Sequence, residues 1–288
     1  MNFLFKGEQM RKLKHNQIVI KNDIYDTWGR IYIAKGRVIT LNSININKFK
    51  KIGIWEQIIS NADAMCDQEK KTLFEDEVKE MRKIYVGIKE CNFTNAIDFV
   101  QNIIFEEKVF NRYPYLLTLL EHSKLCYTHS INVVILSVIL ANAVNYDVQT
   151  IKEIAIGALL HDIGFIFIPK DIIEKDESEL NEEEMSIRQN HCNLGIMTMK
   201  SANIPFRSQK IIEQHHEKLD GTGYPNGLNV RDILEEAHIV SIAEELDMRT
   251  SYFQGGATEI GEVIQDMVNL PEKFSRKYTE LLKSIFEV

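Results

Sequence analysis

The chain has 288 residues, a formal net charge of -8, 44% hydrophobic and 26% charged residues, and only five prolines. That length can bury a core of ordinary size without disulfides, and scarce proline with long Leu/Ile/Glu/Lys segments favours helix over a sandwich or barrel. The acidic balance excludes a general nucleic-acid-coating protein, so no DNA or RNA polymer is expected as partner, although a small phosphorylated ligand on a local metal is compatible with it.

Cys66, Cys91, Cys126 and Cys192 are scattered and form no C-x-x-C pair. This pattern predicts reduced thiols in a cytoplasmic protein, without a disulfide framework or zinc ribbon. Cys192 adjoins His191, but consecutive helical residues diverge by about 100°, so it reads as a packing residue. The amino-terminal apolar run is too short for a secretory signal. The apolar stretch 133–143 is interrupted by Ser137 and Asn142 and falls short of a span of about 20 residues. A soluble protein with no membrane partner is expected.

Taken in order, residues 1–12 read as a polar tail. Short β-branched runs at 17–20, 30–34 and 37–40, separated by the Asp26-Thr27-Trp28-Gly29 and Lys35-Gly36 turns, predict a small β unit. Asn42-Ser43 can cap a helix through Lys51, and 54–59 supplies a last strand. Residues 1–60 are therefore expected as a small α+β module packed on its neighbour. Residues 61–115 read as a helical connector. Within it 67–88 carries Leu73, Val78, Met81 and Ile84 at helical spacing beneath a solvated charged face, and such a helix could pair with its copy in a homodimer. Further helices are expected at 95–105 and 113–125.

Residues 116–288 read as mainly α. Helices are expected at 129–145 and 148–161, and Pro169 breaks the chain. Asn181 with Glu184 three residues later is close to a capping box and opens the helix that holds His191. Pro205 begins the helix ending at His215-His216. The segment Gly221-Thr222-Gly223-Tyr224-Pro225-Asn226-Gly227 must be a loop, and Asp232 can cap a helix carrying Glu244 and Asp247.

Six of the eight histidines fall between His129 and Asp247. His15, His122 and His238 read as satisfied polar residues. His161-Asp162 closes the apolar run 154–160, where desolvating an imidazole and a carboxylate is costly unless a ligand compensates. Aspartate can bridge two metals with its two oxygens, and the His215-His216 doublet can splay toward two neighbouring ions. With His129 and His191 these elements supply about seven N/O ligands, enough for two metals with open positions for water and substrate. No thiolate takes part, so a structural zinc site is not expected. No P-loop, nucleophile elbow or dinucleotide fingerprint occurs in its required context.

His161-Asp162-Ile163-Gly164 together with His215-His216-Glu217-Lys218-Leu219-Asp220-Gly221-Thr222-Gly223-Tyr224-Pro225 resembles the HD-GYP family of cyclic-dinucleotide phosphodiesterases, a branch of the HD superfamily of metal-dependent phosphohydrolases. The resemblance runs from roughly Leu116 to the carboxyl end, and segment 23–54 is similar to the small β-containing module often found ahead of such domains. It implies an HD-type helical bundle with two divalent ions, iron or manganese first, zinc or nickel next. It also implies hydrolysis of cyclic di-GMP to pGpG and/or GMP through a metal-activated water. By position, His129, His161, Asp162, His191, His215 and His216 match the family's metal ligands, with Asp162 as the bridge and His161-Asp162 as the catalytic pair. Glu244 stands where the family has an aspartate ligand. Gly223, Tyr224 and Pro225 fall in the loop that borders substrate and serves in recognition of a protein partner.

The departures from the family pattern are specific. The HD-x-G-K lysine near the scissile phosphate is Phe165, which cannot donate to phosphate. The basic segment after Asp247 reads Ser251-Tyr252-Phe253-Gln254-Gly255-Gly256, leaving Arg249 as the nearby cation for substrate. Leu125 occupies the place of a glutamate in relatives with an enlarged site, so a third metal is not expected. These departures set a second reading beside hydrolysis: a catalytically weak or silent domain acting as a metal or cyclic-dinucleotide sensor or as a protein-interaction module. A phosphohydrolase of altered substrate range is a third.

Overall fold

Among the described residues the strands come first, with a short helix among them, and helices alone form the regular elements from residue 67 onward. The structure, a computed structural model, describes residues 17–20, 22–40, 43–55, 57–58, 62–63, 67–105, 113–200, 202–251 and 258–288. The expectations for the 1–12 tail, His15, Asn42, Cys66 and residues 252–256 lie outside the described residues.

Strand β1 (Gln17–Ile20) pairs antiparallel with β4 (Val38–Thr40), with Ile18 opposite Ile39, and with β5 (Ala62–Asp63), with Val19 opposite Asp63. β2 (Ile24–Tyr25) and β3 (Ile31–Ile33) form a separate hairpin. Its turn is closed by Asp26, whose carboxylate accepts from the backbone N–H groups of Trp28 at 2.9 Å and Arg30 at 3.0 Å. Helix α1 (Ser43–Lys51) follows as expected. The strand expected at 54–59 is not formed: Trp55, Gln57 and Ile58 are helical, and β5 supplies the last strand instead. Ile54, Trp55 and Ile58 are all buried, a helical spacing that the run of β-branched residues masked. The Trp55 indole N–H donates to the Tyr115 hydroxyl at 2.5 Å, tying the small module to the helices.

Helix α2 (Asp67–Ile84) buries Phe74, Val78 and Met81 and leaves most of its charges in solvent. It stops four residues before the expected end. α3 (Glu90–Phe105) begins at Glu90, ahead of the expected residue 95. α4 (Tyr113–His122) ends before residue 125 because Ser123 leaves the helix and its hydroxyl accepts from the Cys126 N–H at 3.3 Å. That cap opens α5 (Lys124–Ala143) a full turn earlier than sequence suggested. α6 (Val148–Leu160) is capped by Asp147 and leads through His161 and Asp162 into a 3-10 turn, Ile163–Phe167.

α7 (Lys170–Glu174) precedes α8 (Glu182–Gln189), which opens with the expected capping box between Asn181 and Glu184. α9 (His191–Met199) and α10 (Phe206–Gln214) follow, with Pro205 at the N-cap of the latter. α11 (Glu235–Thr250) is entered from Leu234 and not from Asp232, whose carboxylate instead accepts from the Asn229 amide at 2.6 Å. α12 (Ile260–Val268) and α13 (Arg276–Phe286) complete the described chain.

The bundle is built around α5, which is buried from residue 131 to residue 141 on every side. α6, α11 and α3 pack against it, and α10 packs on α6. Among the described residues this one helix is long and apolar enough to cross a membrane, and 83% of its most apolar window is buried inside the protein. A helix apolar all round is accounted for here by neighbours on all sides.

Candidate metal centre

Five elements end at one place. α5 brings His129, the end of α6 brings His161 and Asp162, and the first turn of α9 brings His191 and Cys192. The end of α10 brings His215 and His216, and α11 brings Glu244 and Asp247. Asp162 stands in the middle. Its Oδ2 lies 3.3 Å from His161 Nε2 and 3.8 Å from His129 Nε2, whereas its Oδ1 lies 3.4 Å from His191 Nε2 and 3.8 Å from His215 Nε2. One carboxylate therefore faces two separate imidazole groups, one with each oxygen. The Gly164 that follows makes this approach sterically feasible: a Cβ there would stand 1.9 Å from the His191 carbonyl oxygen.

The imidazoles are held in one tautomer. Nδ1 of His161 meets the Ala158 carbonyl at 2.7 Å, Nδ1 of His191 the Arg188 carbonyl at 2.7 Å, and Nδ1 of His215 the Ile211 and Ile212 carbonyls at 3.2 and 3.1 Å. His129 Nδ1 meets the Asp247 carboxylate at 2.6 Å. These partners only accept, so each Nδ1 carries a proton, and wherever the imidazole is neutral its Nε2 presents a lone pair inward, the arrangement of metal-ligating histidines. Nε2 of His191 and of His215 then face each other at 3.1 Å, close to the ~3.3 Å separation of two ligands held about 2.0–2.1 Å from one tetrahedral ion. His161 Nε2, Asp162 Oδ1 and Glu244 Oε2 are buried with no hydrogen-bond partner.

The electrostatics follow from burial. Burial opposes charge on His161, yet the adjacent Asp162 carboxylate raises it to about 9. The same burial works against the Asp162 carboxylate, but His161 first and the other imidazoles hold it well below the usual range. Burial pushes Glu244 up to about 8 and the imidazoles of His215 and His216 well below their ordinary value. His191, His215 and His216, kept neutral by burial, together with the buried carboxylates form a donor set completed by divalent cations, which would take the place of the proton that Asp162 favours on His161, and the residues present fit such ions. Glu244 reaches the centre despite its extra methylene: Oε1 lies 3.2 Å from His216 Nδ1, and the side chain groups with His161 and His215.

The centre opens into a cavity of about 560 Å³, within the ~300–1,000 Å³ common for small-molecule sites. Asp162, His216 and Glu244 line its metal side; Phe165, Gly223, Tyr224 and Arg249 line its walls. Phe165 stacks on His191, with centroids 4.2 Å apart and planes 18° apart. Tyr224 stacks on His216 at 4.4 Å. Gly223 lies so close to the preceding turn that a Cβ would come within 2.4 Å of the His216 carbonyl oxygen and the Lys218 nitrogen. Pro225 lies beside the site, on a neighbouring depression with Ser186 and Asn190. The Arg249 guanidinium is engaged by Asp266 at 2.6 Å, turned to a partner other than the cavity.

Several supporting residues escaped the sequence reading. Asp247 accepts from Tyr85 at 2.5 Å and Asn132 at 2.9 Å while it fixes His129, so the end of the charged connector reaches the centre. Glu217 is fully buried and its two oxygens accept from the N–H groups of Asn226 at 2.7 Å and Leu228 at 2.8 Å, pinning the glycine loop. Lys218 and Lys273 line the cavity and Arg188 adds a third cation there. Only the spacing of Glu244 and Asp247 on one helix signalled any of this; the others act through long-range contacts. Cys192, expected to pack, is fully buried, and its sulfur lies 3.5 Å from His191 Nε2 and within the histidine cluster. As the second residue of α9 it still turns inward, because that helix begins beneath the centre. His122 is satisfied as expected, by the Ile168 carbonyl at 2.7 Å; His238 Nε2 accepts from the Ser275 N–H at 2.7 Å, but its buried Nδ1 has no hydrogen-bond partner, against expectation.

A helical bundle that gathers four imidazoles on two sides of one aspartate defines the class: an HD-type metal-site fold. The family described as HD domain matches residues 115–274, more than half of the chain. The chain belongs to the HD domain family. Among relatives, it is 34% identical over 160 residues to Cyclic di-GMP phosphodiesterase PdeB of Borreliella burgdorferi, covering 54% of this chain and 41% of that protein. It is 38% identical over 103 residues to Cyclic di-GMP phosphodiesterase of Thermotoga maritima, covering 35% and 28%. A 37% identity over 90 residues relates it to 3'3'-cGAMP-specific phosphodiesterase 2 of Vibrio cholerae, covering 31% and 17%. The chain thus spans less than half the length of each of these relatives. In fold it is similar to Bd1817, a HDG"Y"P protein from Bdellovibrio bacteriovorus, with a TM-score of 0.51 and 18% identity over 94% of this chain and 95% of that one.

Proposed function

We propose that this chain is a metal-dependent phosphodiesterase that hydrolyses cyclic di-GMP, or a closely related cyclic dinucleotide, to pGpG and/or GMP. The observation that carries the reading is Asp162, with one oxygen toward His129 and His161 and the other toward His191 and His215, at the base of a cavity lined by Lys218, Lys273 and Arg188. The names of the curated relatives point to the same substrate class.

In this reading His129, His161 and Asp162 hold one divalent ion, and Asp162, His191, His215 and His216 hold the other, with Glu244 reaching across. Iron or manganese are the preferred ions. Bound ions supply a nucleophilic water at neutral pH and neutralise phosphate charge. The chain supplies orientation and field. Asp247 and the helix carbonyls hold the imidazoles in register. Lys218 and Lys273 set a positive potential where Phe165 cannot, and Glu217 keeps the glycine loop closed over one wall.

The test is elemental analysis together with product chromatography on manganese- or ferrous-iron-loaded protein given cyclic di-GMP. Two ions per chain and accumulation of pGpG or GMP are expected. Two bound ions without product would overturn hydrolysis and favour the sensor reading, which Phe165 in place of the family's lysine motivates. Fewer than two ions would overturn the centre itself.

A further inference from the structure

One buried side chain in the centre, Cys192, stands outside the ligand set that the sequence resemblance implies. Cys192 is fully buried, and its Sγ lies 3.5 Å from His191 Nε2. Its sulfur and one nitrogen each of His191, His215 and His216 all lie within 4.8 Å of one another. Because His191 Nδ1 donates to the Arg188 carbonyl, Nε2 is left as an acceptor within 3.5 Å of the Cys192 sulfur. The sulfur therefore faces the same volume as the inward lone pairs of His191 and His215.

The separations suit one ion. With a metal–sulfur bond of about 2.3 Å and a metal–nitrogen bond of about 2.0–2.1 Å at a tetrahedral angle, sulfur and nitrogen stand ~3.5 Å apart. That is the spacing of Cys192 and His191. Independent of the cysteine, Asp162 Oδ1 and Glu244 Oε2 are buried without a hydrogen-bond partner at the same centre, so polar groups there are arranged for a ligand that the protein does not itself provide.

Resting on the two-ion reading above, we propose that Cys192 is a thiolate ligand of the ion held by His191, His215 and His216. On binding, the thiol loses its proton to solvent and a metal–sulfur bond replaces the S–H contact to His191. The centre is then asymmetric. The position at His129, His161 and Asp162 has only nitrogen and oxygen donors, whereas the position at Cys192 gains a soft donor and selects zinc or ferrous iron over manganese.

The experiment is reconstitution of the full chain with cobalt(II), read by near-ultraviolet absorption and metal content. A sulfur-to-cobalt charge-transfer band is expected in the wild type and in Cys66→Ser, Cys91→Ser and Cys126→Ser variants, and absent from Cys192→Ser. Zinc affinity of Cys192→Ser is expected to fall at least about tenfold, with manganese affinity changing less than about twofold. Bound cobalt without the band, or a band that survives Cys192→Ser, overturns the ligand assignment and leaves the two-ion centre intact. Failure to bind cobalt at all overturns both. Zinc X-ray absorption on unaltered protein needs no folded variant: a sulfur scatterer at about 2.3 Å supports the assignment and its absence overturns it.

Discussion

The floor and the walls of the cavity are built on different principles. On the floor, His129, His161, His191 and His215 each have Nδ1 fixed by an acceptor, and each Nε2 faces the centre. On the walls, charged groups are engaged sideways: Arg249 with Asp266, and Lys218 at 3.5 Å from Glu245 and over the Phe274 ring at 4.4 Å. Phe165 presents an aromatic face where the family pattern has a lysine. Moving any of the four floor histidines also breaks the bond that fixes its Nδ1, whereas the wall cations bond to side chains at the rim. In the proposed reading the floor is therefore the constrained part of the molecule and the walls the adaptable one.

That contrast can be broken at several strengths. Asp162→Ala removes the one group shared by both halves of the floor. Hydrolysis is expected to fall at least about a thousandfold, some 4 kcal/mol of transition-state stabilisation, with loss of bound metal. A steady-state assay with metal analysis checks it, and near-normal turnover would show that the bridge is dispensable.

His238 provides the reference for a buried imidazole outside the floor, since its Nε2 is filled by the Ser275 N–H. Burial, aided by Lys218, depresses it to about 4. A depressed pKa contributes stability that is present above the ordinary value near 6.5 and lost as pH falls toward 4, on the order of 3 kcal/mol. Denaturant melts of metal-free protein between pH 7 and 4 should show this loss, and His238→Gln should flatten it. An unchanged slope in the variant would assign the acid sensitivity elsewhere.

Asp247→Asn keeps the shape but weakens the partner of His129, and about 10–100-fold weaker metal binding is expected by competition with a chelator. Phe165→Ala removes the ring stacked on His191. A loss of about 0.5–1.5 kcal/mol in metal affinity is expected if the wall supports the floor there, against none if Phe165 only fills space. Arg249→Ala should change KM for cyclic di-GMP less than about twofold, because its guanidinium is already spent on Asp266. A tenfold rise would show that the arginine releases that partner to reach the substrate.

Much of this contrast was legible in the residues. The clustered histidines, Asp162 and the glycine loop are encoded locally: His161-Asp162 terminates an apolar helix, and Gly164 and Gly223 mark places where backbone passes too close for a side chain. The Asn181 capping box and the helix through Lys51 were equally local. What could not be read depends on contacts distant in sequence. Tyr85 reaches Asp247 across 162 positions, and Trp55 reaches Tyr115 across 60. The β-branched run at 54–59 suggested strand because its helical burial shows only once Tyr115 is in place. Ser123 was passed over as a break because the apolar pattern continues on both sides of it. The angular rule for helix neighbours separates Cys192 from His191, whereas at this first turn the sulfur lies 3.5 Å from His191 Nε2.

If Asp162 divides the floor into two ion sites, the chain must hold two ions, and metal stoichiometry decides it. Full-chain protein loaded with manganese or ferrous iron and freed of excess ion is expected to retain two ions per chain by elemental analysis. A reproducible value of one or none, in protein that melts cooperatively, would contradict the account.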